Sequence, residues 1–475
     1  MSSGTKTLLV LAGIALVVFL GAFSAFVILV RDESSPPDDS DLVLVRPTIP
    51  DDQNAWTYYA QAGEKLRLPK EGEDADWPPA PAAPAPAGGK AAEATAKTEP
   101  DEPPPNVRDR WDAMVNGTAW EQPLVDEVLK RNAEALALWE KGLAVPECLL
   151  PEVKTFDDNV SGVYSLLGLS NLAIVRARNH TLQGNAEAAL DDAVRLVRCG
   201  QHVEGGRGML VCYLVGLTIK QMGLGLMGEM AHESRLSPHR LRRCAADLAH
   251  YQAIPQDIAA AWRAEYTVAR NCVDTVASGS PLFFKPNRTR RLIAEMYRDL
   301  IAAAPKQFAD MPDFGRFGDA FRQEQDWAGG NHEGGRLLCL IEPCGRGLYK
   351  VKCQTNVEVA VTRTLLAMKA YKLDKGRLPE TLEQLVPEYL DAVPIDDFDG
   401  KPIHYNPAKR IIYSVGEDLR DGGGMTWDEF VAARRREQGL DRPDADPDAL
   451  KWFDEDYCKN PQAWDMPDPA FAIEF

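Results

Sequence analysis

The chain has 475 residues, of which 45% are hydrophobic, and it carries a formal net charge of −18 with a pI near 5.0. That length can hold two or three domains with sizeable cores. A nucleic-acid partner is excluded, because phosphate binding needs a basic surface and no Lys/Arg-rich run supplies one.

Residues 1–33 are predicted to be a transmembrane anchor. Residues 8–30 are uncharged and almost wholly apolar, and as a helix they are long enough to cross a hydrocarbon core of about 30 Å. Lys6 precedes this segment, whereas Arg31 is followed at once by two acidic residues, which favours a cytoplasmic N-terminus. We therefore expect a single-pass protein of the inner membrane with a periplasmic body. A signal peptide cleaved near residues 22–24 is the alternative.

The next two segments lead from the anchor to the body. Residues 34–70 are predicted to be an acidic, proline-containing spacer followed by a first helix, which Asp51 and Asp52 cap. Residues 71–106 are rich in Pro, Ala and Glu. Such a composition makes no packed core, so we predict a disordered linker there.

Residues 107–335 are predicted to form an α-helical domain, because apolar residues recur at helical spacing. Gly184 to Leu196 is similar to the second helix of a tetratricopeptide repeat, but no repeat of 34 residues follows. An irregular bundle or solenoid is therefore favoured. Gly208 to Ile219 is too short for a second span and predicts a buried helix. Phe308 to Gly335, rich in Gly, Asp and Phe, is predicted to be an irregular connection.

Residues 336–424 are predicted to form a small α+β module, and residues 425–475 an acidic tail that begins with a helix. Apolar residues line one side of the module's first helix until Gly376 stops it. Alternating apolar residues beyond Pro394 predict strands. The expected elements are a helix through residues 357–371, a shorter helix from Pro379 to Pro387, and strands at residues 403–405 and 411–415.

This arrangement resembles the globular part of the G-type major pseudopilin of type II secretion, a module also familiar at the C-terminus of large bacterial membrane-anchored proteins. The residues that carry the resemblance are Tyr371, Gly376 to Pro379, Leu385, Tyr389, Leu390, Pro394, Asp396, Gly400, Pro402, Tyr405, Tyr413, Ser414, Gly416 and Asp418. The prepilin cleavage signature is absent from the sequence, so we do not expect assembly into a pilus in the usual way.

The resemblance also implies a metal site. The pseudopilin module carries calcium in the loop after its last strand, and Asp418 and Asp421 fall in the corresponding region. Calcium prefers hard oxygen ligands, and the glycines at residues 422–424 let backbone carbonyls turn toward such an ion. An acidic, glycine-rich turn without an ion is the alternative.

Other patterns are incomplete as chemical motifs. The glycines of residues 223–228 match a dinucleotide-binding pattern but lack the strand that should precede it, so we attribute them to close helix packing. His232-Glu233 and His332-Glu333 lack a second histidine four residues after the first.

The nine cysteines, an odd number, fit poorly with a fully paired disulfide framework. Cysteines in helical patterns are predicted to be small buried hydrophobes. These are Cys199, Cys212, Cys244 and Cys272. The close spacing of Cys339, Cys344 and Cys353 allows one disulfide.

We therefore predict a non-enzymatic, membrane-tethered extracytoplasmic protein of structural or protein-interaction type, with an unidentified protein partner. A component of a type II secretion-like system and an envelope hydrolase without a recognisable motif are the alternatives. A cleft that holds carboxylates or histidines of shifted pKa would favour the enzyme. A broad apolar or aromatic patch would favour the interaction protein.

Overall fold

The computed structural model describes residues 3–79, 105–155, 158, 160–231, 235–279, 282–341, 345–442, 446, 453 and 463–475, with the side chains of the first helix from residue 16 onward. Residues 80–104 of the predicted linker lie outside these residues, whereas its start, predicted to be disordered, contains the 3-10 turn Asp74–Asp76 and the buried Trp77.

The described chain is mainly helical with a small antiparallel sheet, which confirms the predicted class at that level. The helices before residue 232 are α1 (Ser3–Val30), α2 (Ala55–Lys65), α3 (Val107–Val115), α4 (Gln122–Arg131), α5 (Ala133–Ala144), α6 (Ser161–Leu182), α7 (Ala186–Glu204) and α8 (Leu210–Ala231). Those after it are α9 (Pro238–Asp247), α10 (Pro255–Ser278), α11 (Pro286–Ala303), α12 (Gly315–Glu324), α13 (His332–Ile341), α14 (Gly345–Lys375) and α15 (Trp427–Glu437).

The sheet has the strand order β1-β2-β3, and both of its pairs are antiparallel. Its strands are β1 (His404–Asn406), β2 (Ile411–Tyr413) and β3 (Ala470–Ala472). The first two form the predicted hairpin, in which Tyr405 lies opposite Ile412. The third strand comes from the segment predicted to be a tail, and it places Phe471 opposite Ile412 on the other edge. The sheet is therefore completed by residues more than fifty positions farther along the chain.

Local chemistry explains where several helices begin. Asn106, Asn185 and Ser237 each accept a hydrogen bond from the backbone amide three residues later, which satisfies one of the amides left open at a helix start. The start of α2 differs from the prediction, because its cap is Asn54 and the aspartates before it lie in a short 3-10 turn, Asp51–Gln53.

The structure also differs from the prediction in the module and in the segment that precedes it. The residues expected to be an irregular connection contain α12 and the start of α13, although their glycines hide the helical pattern. The expected helix between Pro379 and Pro387 is a single 3-10 turn, Leu382–Leu385. A proline disfavours helical geometry in the residue before it, which leaves too few residues for a longer helix.

Helix α14 is the centre of the body. Its 31 residues span about 46 Å. It packs against α8 and α9 on one side and against the 3-10 turn of the module on another. The sequence predicted one buried face, but almost every residue from Cys353 to Tyr371 is buried. The apolar stripe marks only part of the buried surface.

The part of the chain before the predicted linker belongs to the same core as the part after it. Helix α2 packs against α5 and α6. A Cβ atom at Gly142 of α5 would lie 2.5 Å from Cε1 of Tyr59 in α2, so the close approach of these helices requires glycine. The described segments on both sides of residues 80–104 therefore belong to a single folded body.

Helices α7 and α8 approach each other through glycines and enclose an ion pair. A Cβ atom at Gly200 would lie 2.6 Å from the carbonyl oxygen of Gly216. Beside this contact, Nζ of Lys220 donates to the carboxylate of Glu204 and, at 2.8 Å, to Oε1 of Gln201. Both charged side chains have 0% exposure, so each depends on the other for the interactions that water would supply.

We expect Lys220→Met to lower the free energy of unfolding by about 3–5 kcal/mol, because it leaves the Glu204 carboxylate buried without its partner. Urea unfolding of the full chain in detergent, followed by circular dichroism, measures the change. Arg377→Met is the matched control, since its exposed pair with Glu380 contributes about 1 kcal/mol or less. Equal losses in the two variants would contradict the expectation.

Candidate functional site

A groove of about 760 Å³ lies between α8 and α14, and the end of the chain forms its third wall. Volumes of this size are typical of ligand sites. Helix α8 contributes Gln221, Leu224, Gly225 and Gly228, α14 contributes residues that include Gln354, Glu358, Val361 and Leu365, and the last segment contributes Trp464 and Phe471. The wall therefore combines apolar side chains with a few polar groups.

The glycines of α8 serve two different purposes. A Cβ atom at Gly223 would lie 2.8 Å from Cγ2 of Val197, so this glycine permits close packing against α7, as predicted. Gly225 and Gly228 line the groove, and a Cβ atom at either would have no atom within 4 Å. These two glycines keep the groove open and contribute nothing to helix packing.

Glu358 is the ionisable group inside the groove. Its Oε1 atom accepts a hydrogen bond of 2.8 Å from Nε1 of Trp464 and a longer one of 3.5 Å from Nε2 of Gln221. Burial raises the pKa of Glu358 to about 7, and these two donors only partly oppose the effect. At neutral pH this carboxyl can therefore exchange a proton.

The groove suits a ligand that combines an apolar body with a group that donates a hydrogen bond or carries positive charge. Glu474 adds a second, exposed carboxylate at the rim. Among the described residues that line the groove, none is a His, Ser, Cys or Lys, and Thr362 supplies a hydroxyl. Glu358 can exchange a proton, but no activated nucleophile stands beside it.

The sequence did not predict Glu358 or Trp464 as site residues. Glu358 lies on α14 between positions of the predicted apolar face, and Trp464 lies in a segment without a regular pattern. The raised pKa of Glu358 comes from its burial in the tertiary structure, which the local sequence does not show. The unexplained glycines of α8 were the available signal, because glycine inside a helix costs about 1 kcal/mol and calls for a structural reason.

The residues predicted to bind calcium lie in an exposed loop after β2. Oδ1 of Asp418 accepts a hydrogen bond of 2.9 Å from the amide of Arg420. Oδ1 of Asp421 accepts one of 2.9 Å from the amide of Gly423 and one of 3.1 Å from the hydroxyl of Tyr413. The loop's amide from Gly423 and the other donors hold the pKa of Asp421 below its usual value. Local donors thus satisfy both carboxylates in part.

A third carboxylate, which the sequence did not suggest, reaches this loop from the end of the chain. Oδ2 of the buried Asp468 accepts a hydrogen bond of 3.0 Å from the amide of Gly424. Burial raises the pKa of Asp468, and the negative charges of Asp418 and Asp421 raise it further. Asp468 therefore ties the loop to the segment that carries β3.

The described residues bring no three His, Cys, Asp or Glu side chains together in a group that could hold a metal ion. The loop as described therefore does not assemble a calcium ligand set, and calcium at Asp418 and Asp421 stays a prediction from the resemblance. Thermal unfolding in calcium and in EGTA tests it. An unchanged Tm contradicts it.

Of the cysteines predicted to be small buried hydrophobes, Cys199, Cys212 and Cys244 are buried free thiols, as is Cys353, whereas Cys272 is only half-buried. Burial raises the pKa of Cys199 and Cys244 to about 12 and that of Cys212 to about 11. Such thiols carry little thiolate and are poor nucleophiles. Cys344 and the pair His232-Glu233 lie outside the described residues.

Comparison with known proteins identified no relative of this chain. No family model, no curated protein and no solved structure matches the chain. The pseudopilin resemblance therefore remains a prediction made from the residues.

We expect the stability of the chain to depend on pH through Glu358. The pKa of this carboxyl is 4.5 ordinarily and about 7 in the folded chain. The folded state binds the proton more tightly, so the free energy of unfolding falls as pH rises from 4.5 through 7. Since Glu358 lies partly open to the groove, we expect Glu358→Gln to be about 2 kcal/mol more stable than the natural chain at pH 8 and equal to it at pH 4.5.

Urea unfolding midpoints at the two pH values measure this difference. Glu474→Gln, which changes an exposed carboxyl at the same groove, is the matched control and should follow the pH profile of the natural chain, because Glu358 is still present. A Glu358→Gln chain that follows the pH profile of the natural chain would contradict the expectation.

Proposed function

We propose that this chain is a membrane-tethered, extracytoplasmic binding protein. Helix α1 anchors it in the inner membrane with the N-terminus in the cytoplasm, and the helical body holds a partner in the groove between α8 and α14. The segment that carries Trp464 and β3 completes the sheet of the C-terminal module and closes this groove.

The exposure of α1 carries the proposal. Its 28 residues extend about 42 Å, which exceeds a hydrocarbon core of about 30 Å. Residues 16–20 are all apolar, and each is 51–69% exposed. Five successive helical positions point in every direction around the axis, so no side of the helix at this level is covered by the body. A helix that is apolar all round needs an apolar environment.

Helix α8 differs from α1 in this respect. Among the helical segments whose side chains the structure describes, α8 is the one that is long and apolar enough to cross a membrane. Of its most apolar 18-residue stretch, 61% is buried inside the body. The described side chains of α1 begin at Leu16 and form a shorter apolar stretch that ends at Val30. The neighbours of α8 are α6, α7, α10 and α14. The apolar surface of α8 is thus accounted for by protein contacts.

We expect the full chain to stay in the membrane pellet after alkaline carbonate extraction. Leu20→Arg should weaken insertion by about 3 kcal/mol, because it places a charge within the span. The control Leu182→Arg changes a leucine of similar exposure on the body. External protease should cleave the body in intact spheroplasts. A chain that carbonate releases, or a body that protease spares, would overturn the anchoring or the orientation.

The groove is tested by filling it. We expect Gly225→Leu to abolish cross-linking of the partner, because the new side chain occupies open space in the groove. It should keep or raise stability by up to about 1 kcal/mol, since leucine favours helix over glycine. Thr218→Leu, at an exposed position of the same helix outside the groove, is the matched control. Unchanged cross-linking in Gly225→Leu would exclude this groove as the binding site.

An envelope hydrolase is the second candidate, and Glu358 is the observation that favours it. A carboxyl with a pKa of about 7 in a cleft meets one requirement for a general acid or base. Assays of the purified chain with glycoside, ester and peptide substrates separate the two candidates. Turnover that Glu358→Gln removes would replace the binding proposal with the enzyme.

A further inference from the structure

The junction between α1 and the body is held by specific polar contacts. Asp32, just beyond α1, accepts hydrogen bonds of 2.8 and 3.1 Å from the first-turn amides of Asn287 and Arg288 in α11. The residue that precedes α11, Lys285, makes no side-chain cap, so Asp32 supplies the cap from a distant part of the sequence. Glu33 pairs with Arg291 at 2.9 Å. The body therefore has a defined position relative to the end of α1.

Aromatic side chains surround the same end of α1. The rings of Phe26 and Phe283 meet edge to face at 6.2 Å, and Phe283 meets Trp327 in the same way at 5.2 Å. Trp327 stacks on His332 at 3.9 Å but remains 57% exposed, and Leu282, which precedes Phe283 in the chain, is 64% exposed. We name the surface of Leu282, Phe283 and Trp327 the collar.

The collar lies very close to the backbone of α1. Gly330, three residues after Trp327, adopts a φ of +68°, and a Cβ atom there would lie 2.1 Å from the carbonyl oxygen of Leu29. Only glycine allows this approach. The loop that carries Trp327 is thus set directly against the last turn of the helix.

The depth of the collar follows from the position of Phe26. Phe26 precedes Arg31, the first charged residue after the apolar segment, by five positions, which is about 7.5 Å along a helix. Phe283 packs against Phe26, so its ring lies on the apolar side of Arg31. If α1 crosses a bilayer, the collar reaches the level at which the lipid headgroups meet the acyl chains.

We infer that the collar inserts into the boundary between headgroups and acyl chains of the leaflet where α1 emerges, so that the body lies on the lipid surface. This inference rests on the proposed anchoring of α1. Tryptophan and other aromatic rings favour that boundary, where their apolar body is buried and their polar edge stays wet. Large exposed apolar residues beside a span thereby leave water.

The charges around the collar indicate which property of the lipid matters. Arg288 pairs with Glu324, Arg290 with Asp274, and Nζ of Lys285 donates to the carbonyl of Gly329 at 2.9 Å. These cations already have partners within the protein. The collar therefore binds through apolar burial, and the headgroup charge of the lipid has little effect on it.

Quenching of tryptophan fluorescence by brominated lipid tests the inference. The full chain is reconstituted in zwitterionic phosphatidylcholine vesicles with bromine on the acyl chains, which quenches only tryptophans in contact with lipid. The segment from Ser3 to Val30 contains no tryptophan. We expect Trp327→Phe to remove most of the quenching and the control Trp427→Phe to leave it unchanged. Quenching that persists in Trp327→Phe would overturn the inference.

A rescue variant shows whether the loss of quenching in Trp327→Phe is a direct effect of removing this tryptophan. In the Trp327→Phe chain, Leu282→Trp should restore quenching, whereas Leu182→Trp, at a leucine of equal exposure (62%) elsewhere on the body, should not. Circular dichroism checks that each variant keeps its helices. Equal quenching from positions 282 and 182 would contradict a specific collar.

The same vesicles separate failure of the collar from failure of the anchor. A chain that alkaline carbonate releases overturns the anchoring of α1 and with it the collar. A chain that stays in the vesicles but shows no quenching at Trp327 overturns the collar alone. A Trp327 side chain that is shielded from water only at high protein concentration would assign this surface to contact between copies of the chain. That outcome would contradict insertion into lipid.

Discussion

The burial of α14 on all sides is the constraint on which the rest of the body depends. Almost every residue from Cys353 to Tyr371 is buried, and no single neighbour covers such a helix; α8, α9 and the segment that carries Trp464 all contact α14. Polar side chains follow the same requirement. Arg363 on α14 reaches the carbonyl of Ala245 at 3.1 Å and Asp391 at 2.6 Å, and Lys352 reaches Asp397 at 2.8 Å. These contacts join the helical part and the module around one helix.

Two carboxyl groups of the body illustrate how their surroundings decide their chemistry. Glu204 is fully buried, which raises its pKa, and the ammonium of Lys220 opposes that effect. Glu358 is also largely removed from water, but its donors, Trp464 and Gln221, are neutral. Neutral donors repay less of the lost hydration, and its pKa rises to about 7. Burial raises the pKa of both acids, and they differ in the charge of the partner that opposes the effect.

Glycine sets distances at several places in the molecule. Gly200 and Gly223 bring α7 and α8 into contact, Gly225 and Gly228 leave the groove open, and Gly330 admits the collar to the backbone of α1. In the first and third cases a Cβ atom would collide with a neighbouring helix, and in the second it would meet nothing. An open groove and a close junction between α1 and the body thus both depend on glycine, and what differs is whether a neighbouring atom lies where the Cβ atom would be.

By itself the sequence determined the mainly helical class, the hairpin at residues 404–413 and the buried nature of α8, because periodicity and segment length are local properties. It did not determine that α14 is buried all round, that β3 returns from residue 470 to complete the sheet, or that Glu358 faces Trp464. These depend on contacts between residues about sixty to more than one hundred positions apart, for which the local pattern carries no signal. The candidate groove was therefore decided by the tertiary structure alone, since each of its walls comes from a different part of the chain.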